Sequence, residues 1–270
     1  MLKTRIITAL VLVGALGALL FAAPPWAIVV GFSAIAALAA WEWGGLMRQS
    51  PSARVFYALV VLLFCWQIHV AAIRIVPVLV LASAVFWLAI IPLWLRHKWT
   101  LAGNDFLAYL IGLLVILPTW AAMTMLQQVG SWLLLAAMAL VWVADVAAYF
   151  AGRRFGKHKL APTISPGKTW EGVVGAVIGV LIYGFALLIY SPLGENSLLW
   201  SWGGLAAAAL LLLLTAVSVM GDLYESLLKR QAGLKDSSAL LPGHGGVLDR
   251  IDSLTSTLPL AASIMLLLQP

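Results

Sequence analysis

The sequence predicts an all-α membrane protein, a polytopic bundle of about nine transmembrane helices with a cytoplasmic N-terminus. Of the 270 residues, 63% are hydrophobic and 10% are charged, whereas a soluble domain needs a largely polar surface. Nine segments contain the roughly 20 mostly apolar residues that one crossing of a bilayer requires. The basic residues are also concentrated in alternate loops, as membrane topology demands. Together these observations exclude an ordinary soluble protein.

The nine apolar segments follow one another with only short connections. In chain order they are residues 6–23, 26–46, 55–73, 76–95, 106–126, 131–150, 172–190, 203–220 and 252–268. This spacing leaves no room for a separate soluble domain, so residues 1–270 are expected to form a single integral membrane domain. Within it we expect about residues 1–130 to be mainly scaffold, and residues 131–270 to provide the catalytic helices and cytoplasmic loops.

The distribution of basic residues determines the orientation. With the N-terminus in the cytoplasm, all but one of the 16 lysines and arginines fall on cytoplasmic segments, and the exception is Arg74. This bias matches the positive-inside rule, and one missed or additional helix would destroy it. The net charge of +6 is therefore explained by topology rather than by a nucleic-acid partner. The C-terminus then lies on the far side of the membrane.

The scaffold half contains few ionisable groups, and we interpret them structurally. Glu42 lies between two tryptophans near the inner interface, where its carboxylate can reach water or Arg48. We interpret His69 as a packing residue and Cys65, the only cysteine, as a small core residue without a disulfide partner. The first apolar segment has features of a cleaved signal peptide, but two prolines directly after its small residues favour an uncleaved signal anchor.

Charged residues concentrate between Ser226 and Asp252, a segment enclosed by two apolar runs. It holds four basic residues, three acids, a histidine and four glycines. The positive-inside rule explains the basic residues but does not require the acids. A charged cluster tethered at the membrane surface therefore suggests chemistry on a substrate that lies partly in lipid.

Two sets of acids in and beside this segment are placed to meet. One helix face is shared by four polar residues at positions i, i+3, i+4 and i+7, namely Asp222, Glu225, Ser226 and Lys229. Asp249 and Asp252 are likewise three residues apart. Between the two sets, Pro242 and three glycines allow a sharp reversal of the chain. We therefore expect Asp222 and Asp249 to share a cation.

The acids and the basic residues together indicate a site for phosphates. Carboxylate oxygens without nearby cysteines suit Mg²⁺ rather than zinc, and His244 alone does not make a zinc site. Arg230 and Arg250 can bind phosphate oxygens through two hydrogen bonds each, whereas Lys229 and Lys235 act as point charges. Flexible glycine backbone beside basic side chains also suits phosphate. This combination is typical of phosphoryl-type transfer.

A second polar segment, Asp145–Gly172, is expected on the same side of the membrane. Its Gly-Lys-Thr triplet at Lys168 is not a P-loop, because Pro162 stands where the first glycine is required, but Lys168 can still contact a phosphate. Residues 157–159 are expected to meet anionic lipid headgroups. Asp145 lies one turn before its helix is predicted to end. Because a carboxylate in bare lipid is costly, we expect Asp145 to face a polar cavity.

A spaced pattern of polar residues and glycines runs through Ser226–Asp252. It reads S-x-x-K-R-x(4)-K-D-x(5)-P-x-H-G-G-x-x-D-R-x-D and comprises Ser226, Lys229, Arg230, Lys235, Asp236, Pro242, His244, Gly245, Gly246, Asp249, Arg250 and Asp252. This ungapped pattern resembles the signature of the phosphatidate cytidylyltransferases, or CDP-diglyceride synthases. Ser165–Gly172 and the overall helix layout are also similar to that family. One departure follows Asp145, where the family usually has a small polar residue and glycine but this chain has Val146 and Ala147.

The resemblance implies the reaction of CTP with phosphatidate to give CDP-diacylglycerol and pyrophosphate. It also implies Mg²⁺ as cofactor, potassium as a second cation, and Asp222 and Asp249 as the metal ligands. With the residue analysis, it leads us to expect catalytic roles for Asp222, Asp249, Lys229, Arg230, Lys235, Asp236, His244 and Arg250. Substrate binding is expected for Lys168, Ser226, Gly245, Gly246, Asp252 and Asp145.

We expect phosphatidate to enter from the inner leaflet with its chains among the membrane lipids, and its phosphate oxygen to attack the α-phosphorus of CTP. The nearest alternative is a CTP-dependent kinase of a polyprenol or phytol, which would attack the γ-phosphorus. A transporter would need ionisable groups along a path near the membrane centre, but here they gather at one face. The expected location is the bacterial inner membrane, with a cytoplasmic active site. The oligomeric state, including a homodimer, is left open.

Overall fold

The computed structural model describes residues 2–70, 75–190 and 204–268. Within these ranges the chain forms nine helices, α1 to α9. Their bounds are Leu2–Phe21, Pro25–Leu46, Pro51–Val70, Val76–His97, Asp105–Val129, Ser131–Phe155, Trp170–Tyr190, Gly204–Ala232 and Leu248–Leu268. Each helix overlaps one predicted apolar segment, so the all-α polytopic fold is confirmed. Arg74 and the side chains of Lys3 and Arg5 lie outside the described part of the chain.

Among the helices of the described ranges, α2 to α9 are each long and apolar enough to cross a membrane, so the chain is a multi-pass membrane protein. The apolar part of α1, Ile6–Phe21, is shorter. α8 has 29 residues and continues well beyond its predicted end at residue 220, through Asp222 and Lys229. The prediction followed hydrophobicity alone, whereas the backbone hydrogen bonds of a helix continue through polar residues.

Three loops lie at one end of the bundle, and each makes a direct contact with the C-terminal part of α8. Arg48, in the α2–α3 loop, donates through Nη2 to the carbonyl of the last residue of α8 at 3.1 Å. Gln231, also near the end of α8, donates to the carbonyl of Trp99 in the α4–α5 loop at 3.0 Å. Lys168, in the α6–α7 connection, forms an ion pair with Asp222 of α8. The two charged segments are therefore on the same side, as predicted.

The α6–α7 connection contains a two-stranded antiparallel hairpin that the sequence analysis did not predict. Strand β1, Lys159–Ala161, pairs with strand β2, Ser165–Thr169. His158 closes the base of the hairpin, because its Nδ1 lies 2.7 Å from Glu171 Oε1 and its backbone N–H donates to the same carboxylate at 3.2 Å. The hairpin leads directly into α7 and holds the end of β2 beside α8. The predicted lipid contact of residues 157–159 stays a prediction.

Small residues allow α6 and α7 to pack with their backbones close together. A Cβ added to Gly175 would collide with the Ala151 Cβ and would lie 3.0 Å from the Ala147 carbonyl oxygen. A Cβ added to Gly179 would lie 2.8 Å from the Ala147 Cβ. Close approach through small residues is a common basis of helix association in membranes. Ala147, one of the two departures from the related signature, therefore keeps the small side chain that this contact requires.

A glycine also brings α8 and α9 together beside the charged residues. A Cβ added to Gly221 would lie 2.5 Å from Ser256 Oγ and 2.8 Å from the Asp252 carbonyl oxygen. The buried Ser256 hydroxyl donates to the carbonyl of Val217 on α8 at 2.8 Å. This crossing places the acids that follow Gly221 against the first turns of α9.

α4 contains a π-helical turn at Phe86–Ile90, just before Pro92. Proline lacks an N–H group and its ring crowds the carbonyl four residues earlier, and a wider turn accommodates both effects. The turn directs Phe86 and Trp87 towards Tyr224 of α8, with ring centroids 6.2 and 5.7 Å from the tyrosine ring. This buried aromatic cluster holds the part of α8 that presents the charged residues.

Gly175→Val should destabilise the packing of α6 on α7, because a branched side chain has no space beside Ala151. We expect a loss of about 1–3 kcal/mol, measured as a lower melting temperature of the detergent-solubilised protein. Gly14→Val is the matched control, since nothing lies within 4 Å of a Cβ placed at this helical glycine. Equal melting temperatures for the two variants would contradict the close helix contact.

Candidate active site

Asp249, in the first turn of α9, accepts four hydrogen bonds from within the protein. Its Oδ1 accepts from Lys229 Nζ at 2.6 Å. Its Oδ2 accepts from the Ser237 backbone N–H at 2.8 Å, the Ser237 hydroxyl at 2.9 Å and the Gly246 N–H at 2.7 Å. Only 7% of Asp249 is exposed. These partners offset the desolvation of the carboxylate, which costs several kcal/mol for a buried ion.

Lys229 connects this carboxylate to another on its own helix. Its ammonium donates to Glu225 Oε2 at 2.9 Å as well as to Asp249, and all three residues are more than nine-tenths buried. On the same face, the Ser226 hydroxyl donates to Asp222 Oδ1 at 3.2 Å. The shared helix face predicted from the spacing is confirmed. The Lys229 charge is used for internal pairing, which leaves other cations to meet a substrate.

Asp222 borders a cavity of about 450 Å³ between α6, α7, β2 and α8. Its Oδ2 forms an ion pair with Lys168. Asp145 of α6 lines the same cavity, and a polar environment for its carboxylate stays a prediction. Asp145 is also within electrostatic range of Asp222, Lys168 and Arg250. The cavity therefore combines two carboxylates and a lysine at the end of three membrane helices.

We refer to residues 233–247, the loop between α8 and α9, as the signature loop. This loop and the start of α9 enclose a second cavity. This cavity has a volume of about 730 Å³, and its polar lining comprises Lys235, Asp236, Ser238, His244 and Arg250. The Leu241 N–H donates to the Gly245 carbonyl at 2.8 Å, and Gly243 and Gly245 have φ angles of 77° and 79°. These left-handed conformations favour glycine. The predicted chain reversal is confirmed.

Glu42 of α2, in the scaffold half, binds the same loop through four hydrogen bonds. Its Oε1 accepts from the Ser238 hydroxyl at 2.6 Å and the Val247 N–H at 2.9 Å. Its Oε2 accepts from the Leu248 N–H at 2.6 Å, and at 3.2 Å it shares the single Ser237 hydroxyl proton with Asp249 in a three-centre hydrogen bond. The carboxylate therefore joins the signature loop and the start of α9 to a helix that lies far away in the sequence.

The expectation that Glu42 reaches water or Arg48 is wrong. Glu42 is 0% exposed because loop donors enclose both of its oxygens, and Arg48 donates to the Ala232 carbonyl at 3.1 Å instead. The general rule that an acid in an apolar helix is a functional candidate would have identified Glu42. Ser237, which contacts both Glu42 and Asp249, carries no comparable signal in the sequence.

Comparison with known proteins identifies the family. The sequence model of the Cytidylyltransferase family matches residues 3–268. The chain belongs to the cytidylyltransferase family. A phosphatidate cytidylyltransferase of Pseudomonas aeruginosa is 43% identical over 98% of this chain and 97% of its own length. The phosphatidate cytidylyltransferase of Haemophilus influenzae is 38% identical over 96% of this chain and 96% of its own length. That of Brucella suis is 36% identical over 94% of this chain and 90% of its own length. The resemblance in the signature is confirmed, and the protein is a nucleotidyltransferase.

The two adjacent glycines of the cytidylyltransferase signature are required by the packing of the loop. A Cβ at Gly245 would lie 2.7 Å from Asp249 Oδ2. A Cβ at Gly246 would collide with Ser237 Oγ and with Glu42 Oε1. Two buried carboxylates thus approach the loop backbone so closely that neither position has space for a side chain. Contact of these glycines with substrate stays a prediction.

Asp222 and Asp249 belong to different polar networks in this cytidylyltransferase. Asp222 pairs with Lys168 and Ser226, whereas both oxygens of Asp249 accept hydrogen bonds from Lys229 and the signature loop. Within residues 2–70, 75–190 and 204–268, no three His, Cys, Asp or Glu side chains are grouped to hold a metal ion. A metal shared by the two aspartates stays a prediction, and Asp222 is the better placed ligand because it borders a cavity.

Three other predicted residues differ in their placement. Asp252 is half-buried and within electrostatic range of Asp222 and Asp145. His244 faces the larger cavity, and its Nδ1 is buried without a hydrogen-bond partner among the described residues. Arg230 is exposed, donates to a loop carbonyl at 3.3 Å and lines neither cavity. Because Arg250 lines the larger cavity and Arg230 does not, a direct substrate contact is better supported for Arg250.

Lys229→Met should strongly destabilise this cytidylyltransferase, because it leaves the buried carboxylates of Glu225 and Asp249 without their cation. Breaking a buried pair costs about 3–5 kcal/mol, so we expect a large fall in the melting temperature in detergent. Lys235→Met, at an exposed position, is the matched control, with an expected change within about 0.5 kcal/mol. If the two variants melt alike, the buried ion triad is not a stabilising element.

Proposed function

We propose that this chain transfers the cytidylyl group of CTP to phosphatidate, producing CDP-diacylglycerol and pyrophosphate in phospholipid biosynthesis. The proposal rests on two cavities with charged linings at one end of a membrane bundle, where Arg250 of the larger cavity is within electrostatic range of Asp145 in the smaller one. Asp145, Lys168 and Asp222 line the smaller cavity, and Lys235 and Arg250 line the larger one. A relative named phosphatidate cytidylyltransferase, 43% identical over 98% of this chain, supports the choice of substrates.

Both proposed substrates are polyanions, so the site must offset the repulsion between them. Lys168, Lys235 and Arg250 supply positive charge in the walls of the two cavities. Their attraction for phosphate would strengthen as bound substrates exclude water from the cavities. The smaller cavity is also lined by Ala144 and Val173 of the membrane helices α6 and α7. We propose that the phosphatidate headgroup enters here from the side while its chains stay in the bilayer.

In the proposed reaction an oxygen of the phosphatidate phosphate attacks the α-phosphorus of CTP. A P–O bond forms between the two phosphates, the bond from the α-phosphorus to the bridging oxygen breaks, and pyrophosphate leaves with that oxygen. A general base is unnecessary, because a phosphate monoester with a second pKa near 6 already has an unprotonated oxygen at neutral pH. The protein therefore acts by positioning the reactants and neutralising their charge.

We propose Mg²⁺ as the cofactor, with Asp222 as its principal protein ligand and Asp145 across the same cavity. These residues fit the ion, because Mg²⁺ is usually held by one or two carboxylates together with substrate phosphates. Asp249 fits less well, since its two oxygens already accept four hydrogen bonds. When bound, Mg²⁺ would neutralise charge on the nucleotide phosphates. Potassium as a second cation stays a prediction.

We propose that the protein resides in the bacterial inner membrane with its active site facing the cytoplasm. The positive-inside bias supports this orientation, because the end of the bundle that holds both cavities also holds the basic loop residues. Bacterial relatives support the compartment. The reaction needs no nucleic acid, and a homodimer stays a prediction.

Incubation with phosphatidate, Mg²⁺ and CTP labelled at the α-phosphate should give labelled lipid and unlabelled pyrophosphate. A lipid kinase would transfer the γ-phosphate and release CDP, so analysis of the products separates the two activities. Asp222→Asn should lower turnover by at least about 100-fold, because it removes the carboxylate that we propose to hold Mg²⁺.

Asp105→Asn is the matched control for this substitution. It makes the same chemical change at a carboxylate that lines neither cavity and accepts a hydrogen bond from Gln49 at 2.8 Å. Its turnover should equal that of the wild type. Normal turnover by Asp222→Asn, or γ-phosphate transfer by the wild type, would refute the proposal.

A further inference from the structure

We propose that Glu42 is a positioning residue that sets the shape of the signature loop and thereby the affinity for CTP. This inference rests on the proposed function and deepens it. Glu42 lies on α2, outside the region expected to contain the catalytic helices, and it touches neither cavity. Its effect is therefore transmitted through the loop residues that it binds.

The contacts of Glu42 span both ends of the loop segment that encloses the larger cavity. Its four donors are the hydroxyls of Ser237 and Ser238 on one side and the backbone N–H groups of Val247 and Leu248 on the other. Between these pairs run the residues of the chain reversal, including His244. One carboxylate thus clamps the segment at its base and determines how the turn projects into the cavity.

The carboxylate is compensated by dipoles rather than by a cation. Within the described ranges no ion pair of Glu42 is found, and the side chain has no exposed surface. Leu248 is the first residue of α9, where helix N–H groups lack partners within the helix and the helix dipole is positive. Glu42 therefore caps α9 from a different helix. An amide at this position would present an N–H to groups that are themselves donors.

Glu42 is also linked to the buried carboxylate of Asp249. The Ser237 hydroxyl lies 3.2 Å from Glu42 Oε2 and 2.9 Å from Asp249 Oδ2. The backbone of Gly246 lies against Ser237 and Glu42, since a Cβ added to Gly246 would collide with both Ser237 Oγ and Glu42 Oε1. The second glycine of the signature is thus explained by the presence of Glu42. Movement of Glu42 would alter the loop at Ser237, Gly246 and Asp249 together.

The loop and the first turn of α9 carry Lys235, His244 and Arg250 into the larger cavity. If Glu42 positions these groups for the nucleotide, its loss raises the KM for CTP. A residue needed only for folding would lower the amount of active protein and leave the KM of the folded fraction unchanged. Because misplacement of a site by about 1 Å can cost about 100-fold, a large effect is expected.

The test compares Glu42→Gln with Asp105→Asn in detergent, with CTP varied at saturating phosphatidate. Glu42→Gln should lower kcat/KM for CTP by about 100-fold, mainly through KM, and Asp105→Asn should match the wild type. Hydrogen exchange should accelerate in peptides covering residues 236–250 and stay unchanged in α3 and α5. Ser238→Ala removes one of the four donors and should raise the KM for CTP about twofold to fivefold.

The two readouts separate the inference from the proposed function. An inactive wild type would refute the proposed function, while the exchange data would still test whether Glu42 orders the loop. Wild-type KM and exchange in Glu42→Gln would overturn the inference. Faster hydrogen exchange throughout the bundle of Glu42→Gln, with an unchanged KM for CTP, would also overturn the inference. If Glu42→Gln does not fold, the Ser238→Ala variant decides, and an unchanged KM there would count against the inference.

Discussion

The buried ion triad of Glu225, Lys229 and Asp249 is the interaction on which the site depends. Each of these charges lies where water is largely excluded, so each must be paired or its burial becomes costly. The pairing joins α8 to α9, and the remaining acceptor capacity of Asp249 binds Ser237 and Gly246 of the signature loop. One set of charges therefore connects two helices and the loop between them.

Close helix packing makes this pairing possible. Gly221 lets α8 approach the backbone of α9. Gly175 and Gly179 do the same for α6 and α7, and Asp145 of α6 lies within electrostatic range of Asp222. In lipid, where apolar side chains gain little by leaving their surroundings, small residues of this kind are an effective means of association. The polar site is thus positioned by contacts between some of the smallest residues in the chain.

The sequence is most informative where a pattern is local. Hydrophobic runs and the positive-inside bias predict the nine helices, and the spacing from Asp222 to Lys229 predicts a shared face. Proline and glycines between Leu241 and Gly246 predict the reversal. The apolar runs, the shared face and the reversal each follow from residues within a few turns of one another.

Contacts between distant segments were not predictable in this way. Glu42 and Leu248 are 206 residues apart, and nothing in their local patterns shows that α2 meets the start of α9. The ion pair of Lys168 with Asp222 likewise depends on a hairpin that places β2 beside α8. The sequence predicts a functional role for Asp249. Whether it binds a metal or organises the loop depends on distances that only three dimensions supply.

The most direct test of the account is an experimental structure with CTP, Mg²⁺ and a phosphatidate analogue in a lipid bilayer. We expect nucleotide phosphates between Asp222 and Arg250, with Mg²⁺ on Asp222 and with Asp249 still held by Lys229, Ser237 and Gly246. A nucleotide bound at the other end of the bundle would contradict it. A structure in which Lys229 leaves Asp249 to make way for the metal would contradict the central role of the buried triad.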